Sequence, residues 1–290
     1  MSGTVLLGYD VETASESTGG FLEGAGQLHR ERGTPWTIYL TGATAEARAA
    51  DVDQALAADV DSGLLTVGQH TYNHILLKSV FMTPGDGKPV HDGFPNFFKE
   101  GGSLEQLREE LSSTQQLLRE RFGIDCEGLT GPWGYYRGLS DRPDLLGLLR
   151  DNGIRWVRSF ARDSRDCQPT LFEEQPHFYE EQGFPEILEL PVQGYQDDFY
   201  WDRFDDRRFG ETYEDYLYAM LERVVEEDLV WSVCSHDHGT PTVADFDATK
   251  GRWLAAFIER GFDLGVRFAA PPEIYAELDA ARAPGSATMP

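Results

Sequence analysis

The sequence predicts a single α/β domain whose parallel sheet closes, or nearly closes, into a barrel. Three observations predict this fold: short apolar segments alternate with amphipathic stretches, the chain has 290 residues, and reactive polar residues follow several apolar segments. Repeated strand–helix units build a parallel sheet covered by helices, and this length is typical of a closed barrel. Because reactive groups in such barrels lie at the carboxyl ends of strands, the residues after each strand are the candidates for a site.

The apolar segments give eight predicted strands. They are short and bounded by polar residues or glycine, as strands buried in a parallel sheet usually are. The predicted strands lie at 4–9, 34–41, 64–68, 128–130, 154–159, 187–192, 229–234 and 266–269.

The stretches between these strands give six predicted helices. The clearest begins at Ser103, which forms a capping box with Gln106, and it ends before Gly123. The predicted helices lie at 25–32, 45–60, 103–121, 145–152, 213–227 and 252–260.

Two long segments, 76–102 and 195–210, interrupt this alternation and are rich in Phe, Tyr, Gly and Asp. Loops of this length usually carry function or move. The whole of 1–281 is expected to form one domain, and 282–290 is expected to form a flexible tail.

The chain is strongly acidic, with 50 Asp and Glu against 25 Lys and Arg and a formal net charge of −25. Such a surface repels nucleic acid and anionic membranes, so neither is expected as a partner. The three cysteines, Cys126, Cys167 and Cys234, have no paired spacing, and no disulfide framework is expected. The first strand begins at Thr4 without a preceding basic and apolar leader, which predicts a cytoplasmic protein.

His70 and His74 follow the third predicted strand and are four positions apart. On one helical turn, residues so spaced have Cβ atoms about 5–6 Å apart on the same face. Two imidazoles so placed, with one carboxylate, can hold a divalent metal and leave positions open for water. The alternative is that both histidines cap or pack a turn, since this spacing alone is a weak signal. Their position after a strand favours the metal site.

The first and the late predicted strands are also followed by reactive groups. Asp10 and Glu12 follow the first strand, so one carboxylate can bind the metal while the other acts as a base. The alternative is that Asp10 or Thr13 simply begins the next helix as its N-cap. His236 and His238 follow the late strand, where a histidine can protonate a leaving amine or can be a hydrogen-bonded structural residue.

With these motifs the chain resembles the polysaccharide deacetylases, carbohydrate esterase family 4, which share the NodB homology domain. Residues 9–12 are similar to the family's first motif, and 70–74 match its second motif, H-[S/T]-x-x-H, in full. Residues 103–134 resemble the family's helix, strand and third motif in order, and 232–238 resemble the last motif. The resemblance extends over roughly residues 3 to 275 and implies a distorted seven-stranded (β/α) barrel.

The resemblance also implies roles for these residues. Asp10 would be the catalytic base, His236 the acid, and Glu12 a metal ligand beside His70 and His74. The family's first motif has two adjacent aspartates, whereas here a valine intervenes and a glutamate is second, so the reverse assignment of the two acids stays open. The implied cofactor is a divalent metal, with zinc as the first choice.

The third motif departs from the family pattern. Gly131 stands where the family has an arginine that braces the catalytic aspartate, and Arg137 is the candidate replacement. The expected substrate or oxyanion contacts are Pro132, Trp133, Gly134, Tyr135 and His238. The candidates for the fourth motif are Arg162, Asp163 and Asp166.

The resemblance implies a hydrolase of carbohydrate metabolism that removes an N-acyl group, most often N-acetyl, from an amino sugar or glycan precursor. An alternative on the same fold is a hydrolase of small cyclic amides or ureides, of the allantoinase or imidase type, and a third is a non-catalytic binding protein. The long segments favour the second if their aromatic residues form a lid, although such residues equally often cover ordinary core. The lid candidates are Phe81, Phe94, Phe97, Phe98, Tyr200 and Trp201.

The acidic composition allows two interpretations, adaptation to a salty cytoplasm or an ordinary acidic protein. Only four of the basic residues are lysines, and added salt screens the repulsion among surface carboxylates. For a salt-adapted protein we expect the melting temperature, followed by circular dichroism, to rise as KCl is raised from about 0.1 M to about 1 M. A melting temperature that does not rise contradicts the salt-adaptation hypothesis.

Overall fold

The computed structural model describes residues 3–59, 61–82, 96–165, 169–204 and 207–282. Its strands are β1 (Thr4–Val11), β2 (Trp36–Leu40), β3 (Leu65–Gln69), β4 (Val80–Met82), β5 (Phe97–Lys99), β6 (Gly128–Tyr136), β7 (Trp156–Arg162), β8 (His177–Tyr179), β9 (Phe184–Glu189), β10 (Val230–His236) and β11 (Arg267–Phe268). Its helices are α1 (Glu16–Arg32), α2 (Gly42–Ala47), α3 (Ala49–Asp59), α4 (Leu104–Phe122), α5 (Pro143–Asp151), α6 (Asp197–Phe204), α7 (Tyr213–Glu227), α8 (Val243–Phe246), α9 (Arg252–Asp263) and α10 (Pro271–Arg282), with a π-helical segment, Asp247–Gly251, between α8 and α9.

Seven of the described strands run parallel in the order β10-β1-β2-β3-β6-β7-β9. Strand β8 adds to β9 in the antiparallel sense, and β11 pairs with the beginning of β1. The segment after β9 returns to β10, where Val192 and Ser232 form a parallel bridge and the Gln193 N–H donates to the Ser232 carbonyl oxygen. The two ends of the sheet therefore meet, and the predicted distorted seven-stranded (β/α) barrel is confirmed.

Large side chains fill the interior of the barrel opposite glycines. The Arg158 guanidinium lies against Gly8, where an added Cβ would be 2.3 Å from its Nη1 atom. The Trp156 indole lies against Gly128, where an added Cβ would be 2.2 Å from its Nε1 atom. The guanidinium also lies over the Tyr39 ring, 4.7 Å from its centroid. The barrel is therefore a packed core with a charged group inside it, rather than a pore.

The predicted helices are confirmed with two corrections. Helix α1 begins at Glu16, well before the predicted start at residue 25, and the predicted helix at 45–60 is the two helices α2 and α3. The first half of α1 was not predicted because its glycines lower the helix propensity of that stretch. Two of these glycines permit close packing instead: a Cβ at Gly20 would lie 2.3 Å from the Thr240 carbonyl oxygen, and a Cβ at Gly24 would lie 2.5 Å from the Phe246 ring.

The two long segments are partly ordered into elements that the sequence did not predict. The first contains the antiparallel hairpin β4–β5, and the second contains α6. The predicted tail begins at Arg282, which is the last residue of α10; residues 283–290 lie outside the described residues. Cys126 and Cys234 are buried free thiols, and Cys167 lies outside the described residues. No helix in the described ranges has the length and apolarity needed to cross a bilayer.

Among the glycines that line the barrel interior, Gly128 should have the least room for an added methyl group. We expect Gly128→Ala to lower the free energy of unfolding by about 1–3 kcal/mol, because the new Cβ would overlap the Trp156 indole. Gly147→Ala is the control, since its Cβ would contact the Phe184 ring at an ordinary 3.7 Å within α5, where alanine is favoured over glycine by roughly 0.5–1 kcal/mol. Urea denaturation measures both; an equal effect of the two substitutions contradicts the packing described.

Candidate active site

The reactive residues at the carboxyl ends of β1, β3 and β10 meet at one end of the barrel. Asp10 and His236 are register partners on the adjacent strands β1 and β10. His70 follows β3, and its Nε2 atom lies 3.8 Å from Asp10 Oδ2. The fold thus brings together side chains that are up to 226 positions apart in the chain, as in the Glu12–His238 pair.

The Glu12 carboxylate contacts both imidazoles of the second motif. Its Oε2 atom lies 3.1 Å from His70 Nε2 and 2.9 Å from His74 Nε2. Ligand atoms of the three residues all lie within 4.8 Å of one another. The His70 Nδ1–H donates to the Thr130 carbonyl oxygen at 2.7 Å, which leaves Nε2 facing Glu12. Two imidazoles and one carboxylate, with one imidazole oriented from behind, fit a zinc ion or a similar divalent cation.

The charges at this cluster also fit a cation. Burial raises the pKa of the Glu12 carboxyl, but hydrogen bonds from His238, His70 and His74 outweigh burial and hold that pKa well below its ordinary value. Burial lowers the pKa of His70, but the charge of Asp10 and the hydrogen bond to Glu12 raise it overall. The carboxylate is therefore held ionised among imidazoles, and a divalent cation can replace the protons that they share.

The turn that carries the two histidines is not helical, contrary to the prediction of one helical turn. Residues 70–74 form an irregular turn in which Thr71 and His74 have left-handed φ values of 59° and 57°. The first two backbone N–H groups of α2 donate to carbonyl oxygens of this turn. From α4, the Glu110 carboxylate accepts both the backbone and the side-chain N–H of Asn73, at 2.6 and 2.7 Å. Contacts from two helices, rather than helical geometry, bring the imidazoles together.

Asp10 is 5% exposed and lies between the histidine cluster and the interior of the barrel. Its Oδ2 atom accepts a hydrogen bond from the Cys234 thiol, at 3.4 Å. Its Oδ1 atom has no hydrogen-bond partner within the described part of the chain. Asp10, Cys234 and His236 form a second group of potential ligands, but burial and the charge of Asp10 raise the pKa of the Cys234 thiol, and the positive Arg158 nearby opposes a cation there.

Arg158, and not Arg137, is the arginine that lies beside Asp10. The Arg137 side chain is exposed, whereas Arg158 is 1% exposed and its Nη1 atom lies 3.7 Å from Asp10 Oδ1. Its Nη2 donates to the Val233 carbonyl oxygen at 3.0 Å, and its Nη1 donates to the Thr130 hydroxyl at 3.3 Å. Burial lowers the pKa of Arg158, but the surrounding acidic groups raise it above its ordinary value. The cation beside Asp10 therefore comes from β7.

Gly131 of the third motif is tightly packed. A Cβ at Gly131 would lie 3.1 Å from both the Leu77 side chain and the Tyr135 ring. Tyr135 is buried, and its hydroxyl accepts the Leu77 N–H at 2.7 Å, so it belongs to the core and was wrongly predicted as a substrate contact. Trp133 and Gly134 have positive φ values of 71° and 63°, and an irregularity in the pairing of β6 with β7 lies here.

The remaining third-motif residues are arranged as follows. The carbonyl oxygens of Trp133 and Gly134 accept hydrogen bonds from Arg162 Nε at 2.7 and 3.2 Å. The Trp133 ring stacks on Phe97 of β5, with centroids 5.2 Å apart. Pro132 is buried within β6. Arg162 thus supports the third motif.

His236 is paired with Asp197, a residue that the sequence analysis missed. The His236 Nδ1–H donates to Asp197 Oδ2 at 2.8 Å. Burial lowers the pKa of His236, but the hydrogen bond and the charge of Asp197 raise it to about 9. Asp163 pairs with Arg165 instead, and Asp166 lies outside the described residues. The available signal was that Asp197 follows a predicted strand, as reactive groups of such barrels do.

Asp237 anchors the segment that follows β1. It is fully buried, its Oδ1 accepts the Glu12 N–H at 3.1 Å, and its Oδ2 accepts the hydroxyls of Thr13 and Thr18 at 2.7 and 2.6 Å. The N-cap of α1 is Ser15, so the alternative that Asp10 or Thr13 caps this helix is wrong. Asp237 thus fixes the backbone that presents Glu12.

A cavity of about 360 Å³ adjoins the proposed acid. Its lining residues are Asp197, Asp198, His236, His238, Gly239, Thr249, Lys250 and Trp253. A cavity of about 490 Å³ elsewhere is lined by residues that precede β6 and β7, such as Asp125 and Glu127, so it lies at the opposite end of the barrel. Of these two cavities, the one beside His236 adjoins the site and can hold its substrate.

No family model and no curated protein matches the sequence. The fold, in contrast, matches solved structures. A Mycobacterium smegmatis protein named as a candidate polysaccharide deacetylase has a TM-score of 0.64 and 17% identity, over 100% of this chain and 96% of that one. A Pseudomonas aeruginosa protein named in the same way has a TM-score of 0.61 and 16% identity, over 96% and 91% of the two chains.

A Puue allantoinase is about as similar in fold, with a TM-score of 0.63 and 14% identity over 98% of this chain and 91% of that one. At such identities the likeness shows the fold alone. The chain has the fold of the polysaccharide deacetylases, as its motifs predicted.

Proposed function

We propose that the protein is a metal-dependent hydrolase that removes an N-acyl group, most often N-acetyl, from an amino sugar or glycan precursor. The observation that carries this proposal is the convergence of Glu12, His70 and His74, with ligand atoms within 4.8 Å of one another. Asp10 and His236 lie beside this cluster on adjacent strands. A metal-ligand set flanked by a base and an acid is what hydrolysis of an amide requires.

Glu12, His70 and His74 would hold the metal, with zinc as the first choice because nitrogen and oxygen ligands suit it. A bound divalent ion polarises the acyl carbonyl and lowers the pKa of water. The geometry favours Glu12 over Asp10 as the ligand, because Glu12 contacts both imidazoles at hydrogen-bond distance while Asp10 is 3.8 Å from His70.

Asp10 acts as the base, since its carboxylate lies beside the proposed metal ligands, with Oδ2 3.8 Å from His70 Nε2, and can accept a proton from the attacking water. The Arg158 guanidinium lies 3.7 Å from this carboxylate on the side of the barrel interior and balances its charge. His236, oriented by Asp197, donates a proton to the departing amine as the carbon–nitrogen bond breaks. The backbone N–H of Trp133 or Gly134 would stabilise the developing oxyanion, and His238, at the rim of the cavity, would contact the substrate.

Hydrolysis of a small cyclic amide or ureide is the second candidate. It is favoured by the cavity beside His236, whose volume of about 360 Å³ suits a small molecule, and by the similarity in fold to an allantoinase. The proposed aromatic lid gains less support. Phe81 and Phe98 are 56% and 60% exposed, and Trp201 is buried in the core; Phe94 and the Tyr200 side chain lie outside the description.

Metal removal tests the proposal. We expect dialysis against a chelator, or His70→Ala, to remove bound zinc and to lower kcat/KM by more than about 100-fold. Loss of a residue that only hydrogen-bonds a metal ligand typically costs about 10–100-fold in activity, and loss of the ligand itself should cost more. His177→Ala is the control, since its ring contacts the Gln175 carbonyl oxygen far from the site. N-acetylated amino sugars and cyclic amides are assayed together, and turnover decides between the two substrate classes. Full activity in the treated protein or in the variant contradicts the proposal, and inactivity of the metal-loaded wild type supports the non-catalytic alternative.

The role of Arg158 gives a separate test. We expect Arg158→Gln to lower kcat/KM by about 10²–10³-fold, the range of acid–base catalysis, because Asp10 loses the adjacent cation. Zinc content should remain, since no ligand is changed. Arg137→Gln is the matched control and should retain activity. A larger loss of kcat/KM in Arg137→Gln than in Arg158→Gln would show that Arg137, the arginine expected from the sequence, is the functional one.

A further inference from the structure

We infer that Lys250 is a positioning residue for the proton donor, through its contact with Asp197. The inference rests on the proposed function, in which His236 protonates the leaving amine. Lys250 Nζ lies 2.8 Å from Asp197 Oδ1, while Asp197 Oδ2 accepts the His236 Nδ1–H at 2.8 Å. One carboxylate is thus divided between a cation on one oxygen and the catalytic imidazole on the other.

All three side chains of this relay are largely buried. Their exposed fractions are 12% for Lys250, 8% for Asp197 and 11% for His236. An ion pair so buried is much less screened than a surface pair, and removal of one partner leaves a buried charge uncompensated. The Ser235 hydroxyl also donates to Asp197 Oδ1. Lys250 is therefore one of the groups that determine where this carboxylate points.

The side chain of Asp197 is held by contacts from other elements rather than by its own backbone conformation. It is the first residue of the eight-residue helix α6 and has a left-handed φ of 54°, a conformation that costs free energy for a residue other than glycine. Its side chain reaches β10 and the π-helical segment, not its own helix. Contacts from those two elements hold the carboxylate at His236.

Lys250 reaches Asp197 from an unusual segment of backbone. It lies in the π-helical segment Asp247–Gly251, and such segments are rare and occur often at functional sites. Two residues later, at the start of α9, the Arg252 side chain is 71% exposed and pairs with Glu214 at the surface. The π-helical segment thus directs the Lys250 side chain into the cavity wall, whereas the next cation faces solvent.

The chemical consequence concerns the second half of the reaction. With Nδ1–H donated to Asp197, the proton on His236 Nε2 is the one available for transfer. As the carbon–nitrogen bond breaks, its electron pair goes to nitrogen, which takes that proton. Lys250 acts on this step because it holds the acceptor that orients the imidazole. Among the described residues its hydrogen bond and ion pair go to Asp197, and not to Asp10 or the proposed metal ligands.

The experiment compares leaving groups. Three variants are assayed: Lys250→Met, Lys250→Arg and the control Arg252→Met. One substrate is the N-acetyl compound that the wild type hydrolyses. The other is 4-nitrophenyl acetate, whose phenolate leaving group departs without taking a proton. We expect Lys250→Met to lower kcat on the amide by about 10–100-fold with little change in KM, to leave the ester rate unchanged, and to be largely rescued by Lys250→Arg. Equal losses on both substrates, or an unchanged amide rate, overturn the inference.

A second readout does not depend on activity. In ¹⁵N spectra of the uniformly labelled protein, the His236 ring signals are assigned by their absence from His236→Gln. We expect these shifts to change in Lys250→Met and to remain in Arg252→Met. Unchanged His236 shifts in Lys250→Met overturn the inference even if the wild type hydrolyses no substrate, an outcome that would reject the proposed function separately.

Discussion

The Glu12 carboxylate, shared among three imidazoles, is the interaction on which the site depends. Its two oxygens lie within 3.1 Å of the Nε2 atoms of His70, His74 and His238. Such a concentration of polar groups at a largely buried position costs free energy unless each group is paired. The surrounding structure supplies the pairing: Asp237 fixes the Glu12 backbone, and a carbonyl oxygen of β6 fixes the His70 ring. The fold itself therefore holds the three proposed metal ligands together.

The interior of the barrel imposes the second constraint. Arg158 occupies space that only glycine at position 8 leaves free, and it carries the cation that compensates Asp10. Gly131, where the resemblance led us to expect an arginine, is closely packed instead. The compensating charge therefore comes from β7 rather than from β6, and Asp10, the proposed base, has a cation beside it.

The sequence predicted the barrel and the cluster of reactive groups because both follow from local signals. Alternating apolar segments gave the strands, and the rule that strands end at the site selected Asp10, Glu12, His70 and His236. Arg158 could not be found in this way because it lies within a strand, where its polarity has no local explanation. Its contact with Asp10 exists only after β1 and β7 come to face each other across the barrel.

Helix α6 and the turn at 70–74 were missed for related physical reasons. Helix α6 is short, and its role depends on contacts with β10 and the π-helical segment rather than on its own propensity. The turn was predicted as helical from its spacing, but hydrogen bonds from α2 and from Glu110 determine its conformation. In both cases, tertiary contacts override a weak local preference.

The most direct test of the account is the position of the metal. Crystals grown with zinc should show one anomalous peak at the zinc edge about 2.0–2.2 Å from the Nε2 atoms of His70 and His74 and from an oxygen of Glu12. A peak between Asp10, Cys234 and His236 instead, or no peak at saturating zinc, would contradict the account.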